Sequence, residues 1–164
     1  MKHVFVVNPC AGMRDCSDEI AARLDIDEID AEIYVTRGPR DATRFVGQWF
    51  RDHAGEDVRF YACGGDGTLN EVVSGVMEGE SGSRRVEVAC YPCGSGDDFV
   101  RYWQGKDFTD IAALVRGTAV PVDVMRVGDR YCVNTLNYGI EVSISIPFYS
   151  TKNVPNDLFL PGKS

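Results

Sequence analysis

At 164 residues, 44% hydrophobic and 26% charged, the chain has ordinary globular composition and enough length for one good core plus an appendage. A formal charge of −8 and a pI near 4.7 exclude a surface that tracks nucleic acid and leave no polybasic membrane anchor, so any lipid contact is local. Six cysteines are too sparse for a secreted disulfide scaffold. No apolar stretch approaches the roughly 20 residues that cross a bilayer, and Met1 to Pro9 reads as a first strand, not a signal peptide. A cytoplasmic protein is expected, at most peripheral at a membrane.

The apolar run Val4 to Val7 predicts a first strand, ended by the turn Asn8-Pro9-Cys10-Ala11-Gly12. A helix near 17–24 and a strand over 32–36 follow, the strand closed by Thr36-Arg37-Gly38. Ala42, Phe45, Val46, Trp49 and Phe50 then fall on one face of a helix, where they read as core. The strand over 58–63 runs into Gly64-Gly65-Asp66-Gly67-Thr68-Leu69-Asn70-Glu71, beyond which Leu69, Val72, Val73, Val76 and Met77 recur at helical spacing. A strand over 86–91 leads into a second glycine turn, Pro92 to Asp98, and then to short helices near 98–103 and 109–116. This alternation implies right-handed crossovers and a parallel sheet with helices on both faces, an α/β Rossmann-like domain over 1–120. From Val120 the pattern becomes strand, Gly128-Asp129 turn, strand, with a further strand over 141–146. Residues 121–164 therefore read as the incomplete start of a β-rich second domain. Its open edges would suit a partner, self-association to a homo-oligomer included. The tail from Pro147 has little periodicity and is expected to be partly mobile.

The chemistry concentrates in the turns. Glycines at a strand-to-helix turn let backbone N–H groups approach an anion, and the helix start favours negative charge there. A carboxylate beside a phosphate, as Asp66 would be, needs a metal ion or a proton between them; a nucleotide with Mg²⁺ supplies this, whereas the bland alternative is a helix cap. Asn70 and Glu71 have the same alternative as ordinary first-turn residues. The loop is not a Walker A loop: Lys2, Lys106, Lys152 and Lys163 all lie outside glycine turns. Phosphate charge must then be met by backbone N–H groups, metal or arginine. In a parallel sheet the turns after the first, second, third and fourth strands open onto one rim, where ligands collect. Cys90-Tyr91-Pro92-Cys93 is a C-x-x-C run that ranks last as a thiol redox site, because it leads straight into the second glycine turn.

Taken together these residues resemble the catalytic domain of the diacylglycerol kinase family, which includes bacterial diacylglycerol kinases, sphingosine kinases and ceramide kinases. Asn8 to Gly12 resembles N-P-x-[SA]-G; Thr36 with Asp41-Ala42 is similar to a threonine followed by a small-residue helix start; Gly64 to Glu71 matches G-G-D-G-T-x-N-E. Pro92 to Arg101 is similar to P-x-G-T-x-N-D-F-A-R, with Ser95 for Thr and Asp97 for Asn, and the stretches at 122–124 and 134–139 resemble the start of the second domain. The resemblance implies an ATP site with Mg²⁺ beside the phosphates, contacted by Asn8, Pro9, Gly12, Thr36, Gly64, Gly65, Asp66, Gly67, Thr68, Asn70, Glu71, Gly94 and Ser95. Asp66 would be the catalytic residue. It further implies transfer of the γ-phosphoryl group to a diacylglycerol-like lipid hydroxyl at a membrane surface. A larger second domain carries the family's general base, and Glu141 stands where the family has Asp. The chain is thus expected to bind nucleotide without full activity. The alternatives are a non-catalytic nucleotide-binding or regulatory module and an enzyme similar to NAD kinases, which share the G-G-D-G turn.

Overall fold

The computed structural model describes residues 1–12, 15–79, 82–103, 105–134 and 157–158. Strands β1 (Lys2–Val7), β2 (Glu32–Val35), β3 (Val58–Gly64) and β4 (Val86–Pro92) alternate with helices α1 (Ser17–Ile26), α2 (Asp41–Asp52) and α3 (Asp66–Gly79). After β4 come α4 (Asp98–Tyr102) and α5 (Ile111–Arg116), then a hairpin of β5 (Met125–Val127) and β6 (Arg130–Cys132). A final two-residue strand, β7 (Asp157–Leu158), runs parallel to β4, where the sequence pattern predicted no strand. The main sheet has the order β2-β1-β3-β4-β7 with every pairing parallel.

Burial on both sides explains why β1, β3 and β4 read as near-continuous apolar runs. On one face Phe5 stacks on Tyr61, the Tyr61 hydroxyl meets His3 Nδ1 at 2.7 Å, and Tyr91 donates to Glu19 of α1. On the other face Phe60 meets Trp49 and Phe50 of α2 edge-on. Helices α2 and α3 pack closely because α3 presents Gly75, where a Cβ would lie 2.8 Å from Val46 Cβ. Arg59 is buried on β3 and pairs with the fully buried Glu87 of β4. Its guanidinium also donates to the carbonyls of Leu114, Val115 and Gly117, closing the C-terminus of α5.

Among the boundaries that differ from the sequence reading, two have clear local reasons. Helix α5 starts at Ile111, two residues later than expected, because Asp110 accepts from the Ala113 N–H as its N-cap while Asp107 holds Thr109 in the preceding turn. The strand expected from Val120 is paired only from Met125: Pro121 has no N–H to give, and Val122 and Val124 pack against the core instead. The strand expected over 141–146 lies outside the described residues, as does Glu141.

The topology places a crevice. From β1 the chain moves outward to β2, then crosses back to β3 on the other side of β1, so the connections that leave the paired carboxyl ends of β1 and β3 run in opposite directions. In doubly wound sheets this switch point is where ligands bind.

Candidate functional site

Asn8 ties the first loop to the third. Its N–H donates to the Cys63 carbonyl at 2.9 Å, its side-chain amide donates to Thr68 Oγ1 at 3.1 Å, and its Oδ1 accepts from the Cys10 N–H at 3.0 Å. The fourth loop docks on the third through the Cys93 N–H, which donates to the Gly64 carbonyl at 3.1 Å. Gly94 lies so close to Gly65 that a Cβ on it would be 2.6 Å from Gly65 Cα. The second loop hangs on Asp41, whose carboxylate accepts from the Arg37 N–H at 2.8 Å, the Tyr34 hydroxyl and Arg44. The Arg37 N–H bond is the main reason this carboxyl titrates below the usual range.

These loops enclose a cleft of about 690 Å³ at the β1/β3 switch point. Of the residues named from sequence, Asn8, Pro9, Gly12, Thr36, Gly65, Asp66, Gly67, Thr68, Glu71, Gly94 and Ser95 line it. Gly64 lies beneath it, its α-hydrogen side against the Thr68 side chain, where a Cβ would be 2.2 Å from Oγ1. Asn70 lines a neighbouring cavity of about 650 Å³ beside the β5–β6 hairpin, with its Oδ1 buried. Residues that the sequence reading did not name as contacts, most of them in the turns it placed on this rim, also line the cleft: Cys10, Ala11, Arg37, Gly38, Pro39, Ala42 and Gly96. Arg37 matters most, because it is the cation among the described lining residues, and its place at the end of β2 was visible in the sequence.

Asp66 does more than begin its own helix. Its Oδ1 accepts from the Phe99 N–H at 3.0 Å and the Asn134 amide at 3.1 Å, and its Oδ2 accepts from the Asp98 N–H at 3.0 Å. It therefore caps α4 from across the cleft. Glu71 is also engaged, its Oε1 accepting from the Arg40 N–H at 2.8 Å. Asp66 and Glu71 are thus held by backbone and amide donors, and no group of three His, Cys, Asp or Glu is placed to hold a metal among the described residues.

Asp97 sits under the fourth loop in the left-handed region, φ 50°, and its Oδ1 accepts from the Gly94 N–H at 3.2 Å. Burial raises its pKa, with the charges of Asp66 and Asp98 adding to the effect. A group whose folded pKa lies above its unfolded value stabilises the fold at low pH and loses that contribution as pH rises through the folded value. Asp97→Asn keeps the acceptor, suits the left-handed conformation and removes the charge. It is expected to raise the melting temperature at pH 7, with the gain shrinking as pH falls through the carboxylate range; a melting series against pH checks this.

The C-x-x-C pair is poorly suited to redox chemistry. Burial pushes the Cys90 thiol up to about 12 and raises Cys93 further, the Cys16 thiol beside it adding to that shift. The reactive thiolate is disfavoured at both.

The comparisons with known proteins agree with this architecture. Residues 2–127 match the family described as diacylglycerol kinase catalytic domain. The chain belongs to that family. A protein of Cronobacter sakazakii named "Probable lipid kinase YegS-like" is 31% identical over 121 residues, covering 71% of this chain and 39% of its own length. A Staphylococcus aureus diacylglycerol kinase is 28% identical over 135 residues, covering 79% and 41% respectively. Among solved structures, a diacylglycerol kinase from Bacillus anthracis superposes with a TM-score of 0.60 at 25% identity, covering 79% of this chain and 48% of that one. The chain thus spans about two fifths of the length of the curated relatives it matches.

Proposed function

We propose that the cleft binds ATP with its phosphates against the Gly65–Thr68 and Gly94–Gly96 turns, and that the chain is the nucleotide-binding part of a lipid kinase. In the reaction proposed, the γ-phosphoryl group passes to a hydroxyl of a diacylglycerol-like lipid. The observation that carries this reading is the backbone contact of Gly65 with Gly94, which brings two glycine turns and the start of α3 to one point of the cleft. Backbone N–H groups and Arg37 would meet the phosphate charge. Thr68, held by Asn8, would fix the third loop. Asp66 would act by position, holding the start of α4 and hence the fourth loop against the phosphates. Positioning and charge neutralisation carry most of phosphoryl transfer. The membership in a lipid kinase family supports the acceptor class.

Incubation with γ-labelled ATP, Mg²⁺ and diacylglycerol in mixed micelles tests the reading. Nucleotide binding and ATP-dependent entry of label into the lipid are expected, and a folded chain that shows neither would remove the reading. Asp66→Ala removes a carboxylate that accepts two backbone N–H groups and an amide. It is expected to cost about 2 kcal/mol of stability, in the range for hydrogen bonds to a charged group, and to weaken ATP-dependent stabilisation in thermal melts. An Asp66→Ala chain with unchanged melting and unchanged nucleotide response would remove the positioning role.

A further inference from the structure

The main sheet ends at β2, and that edge is open. Thr36 donates its N–H to the Val7 carbonyl, so the even-numbered residues of β2 turn their peptide groups toward β1. The odd-numbered ones, Ile33 and Val35, therefore direct both N–H and C=O away from the sheet, and among the described residues none of these groups has a partner. Their side chains also reach water. Register pairs Ile33 with Phe5 and Val35 with Val7, on the face opposite α2, yet Ile33 and Val35 are 36% and 40% exposed whereas Phe5 and Val7 are at 0%. Natural edges are commonly blunted by lysine, proline or a bulge, and β2 carries none of these. Charge divides along the strand. Asp30 and Glu32 stand before Ile33, Arg37 and Arg40 follow Val35, and all four are exposed. Across 30–40 the exposed charges thus balance, in a chain whose net charge is −8.

We infer that the β2 edge pairs antiparallel with the β2 edge of a second copy of this chain, about a two-fold axis at Tyr34. The register follows from the free peptide groups. In an antiparallel pair, residues that exchange both hydrogen bonds stand directly opposite each other. Centring on Tyr34 sets Ile33 against Val35 of the other copy and uses every outward N–H and C=O of these two residues in both copies. It also joins the exposed aliphatic side chains in cross-strand pairs on one face. A centre at Ile33 or at Val35 would instead set one of them against Ala31 or Arg37, outside the strand, and the Arg37 N–H already serves Asp41. Antiparallel pairing further brings the acidic start of each strand to the basic end of the other, where parallel pairing would oppose like charges. A second copy is favoured over an unrelated strand because the edge complements itself in hydrogen bonding, side-chain pairing and charge. Contact through a four-residue strand is small, so the dimer belongs to the weak, concentration-dependent class.

Sedimentation equilibrium over a concentration series, with amide hydrogen exchange at its lowest and highest points, tests the inference. A monomer–dimer equilibrium is expected, and the Ile33 and Val35 amides should exchange more slowly at high concentration. Ile33→Lys/Val35→Lys sets lysine against lysine across the two-fold, and thermal melts establish that this variant is folded. Its dimer dissociation constant is expected to rise about tenfold or more, from lost aliphatic pairs and opposed like charges. Arg37→Glu leaves the strand itself intact and opposes acid to acid at the strand ends. It should weaken the dimer too, and Asp30→Arg/Arg37→Glu should recover part of the loss. A chain that stays monomeric to millimolar concentration would overturn the inference. So would dimers that neither the lysine pair nor Arg37→Glu weakens, or association without protection of the Ile33 and Val35 amides. These readouts need no nucleotide: dimers without ATP binding would sink the kinase reading alone, and ATP binding by a persistent monomer would sink this one.

Discussion

Gly12→Ala is expected to disrupt the cleft and cost roughly 3 kcal/mol or more, the sum of left-handed strain of about 1–2 kcal/mol and overpacking of about 1–3 kcal/mol. Gly12 has φ +68°, and a Cβ built on it would lie 2.1 Å from the Cys93 carbonyl oxygen. Carbon and oxygen at that separation are far inside van der Waals contact. The obstacle is backbone, so no rotamer change relieves it. Either the first loop must leave the fourth or the Cys93 peptide must turn, and Cys93 also donates its N–H to Gly64 beneath the Gly65–Thr68 turn. Both routes displace residues that line the cleft. Chemical denaturation should show the stability loss, and ATP should no longer raise the melting temperature. A Gly12→Ala protein with wild-type stability and nucleotide response would show that the two loops are not locked together as described.

Arg59→Met is expected to cost about 3–5 kcal/mol, the range for removing one partner of a buried ion pair. Glu87 is fully buried, and its Oε2 faces Arg59 while Arg85 reaches Oε1. Without Arg59 the acid keeps one cation of two, and the α5 carbonyls of Leu114, Val115 and Gly117 lose their donor. The second loss is specific to this fold, since Arg59 joins β3, β4 and α5 in one contact. Urea unfolding of the single variant and of Arg59→Met/Glu87→Leu separates the terms. The double variant should recover part of the loss, because it no longer buries an underpaired carboxylate. A single variant that loses less than about 1 kcal/mol, the size of an ordinary surface pair, would contradict the structural role given to Arg59.

Much of the scaffold could be read from the chain because each element carries its own period. Val4 to Val7 and the run over 58–63 are buried on both faces, and Ala42, Val46, Trp49 and Phe50 occupy the buried side of α2 as their spacing requires. The glycine turns were legible for the same local reason. What escaped the sequence was set by distant partners. Asp66 is separated from Asp98, Phe99 and Asn134 by 32, 33 and 68 residues, so its role as a cap on another helix left no local trace. Arg59 sits inside an apolar strand and makes sense only once Glu87 and α5 are placed. Asn70 turned from the cleft for a geometric reason: Thr68 and Glu71, three residues apart, share a face of α3, whereas Asn70 is rotated about 100° from Glu71. Thus motif membership identified the turn but could not sort its residues by side.

The central claim is that the cleft between the four loops holds a nucleotide by its phosphates. Isothermal titration of the chain with ATP in the presence of Mg²⁺ measures this directly, with melting temperatures in parallel, since a ligand that binds only the folded state raises stability by mass action. The account predicts one saturable site per chain, competed by ADP and lost in Gly12→Ala. Absence of both binding heat and any rise in melting temperature at millimolar ATP, in a folded chain, would contradict it.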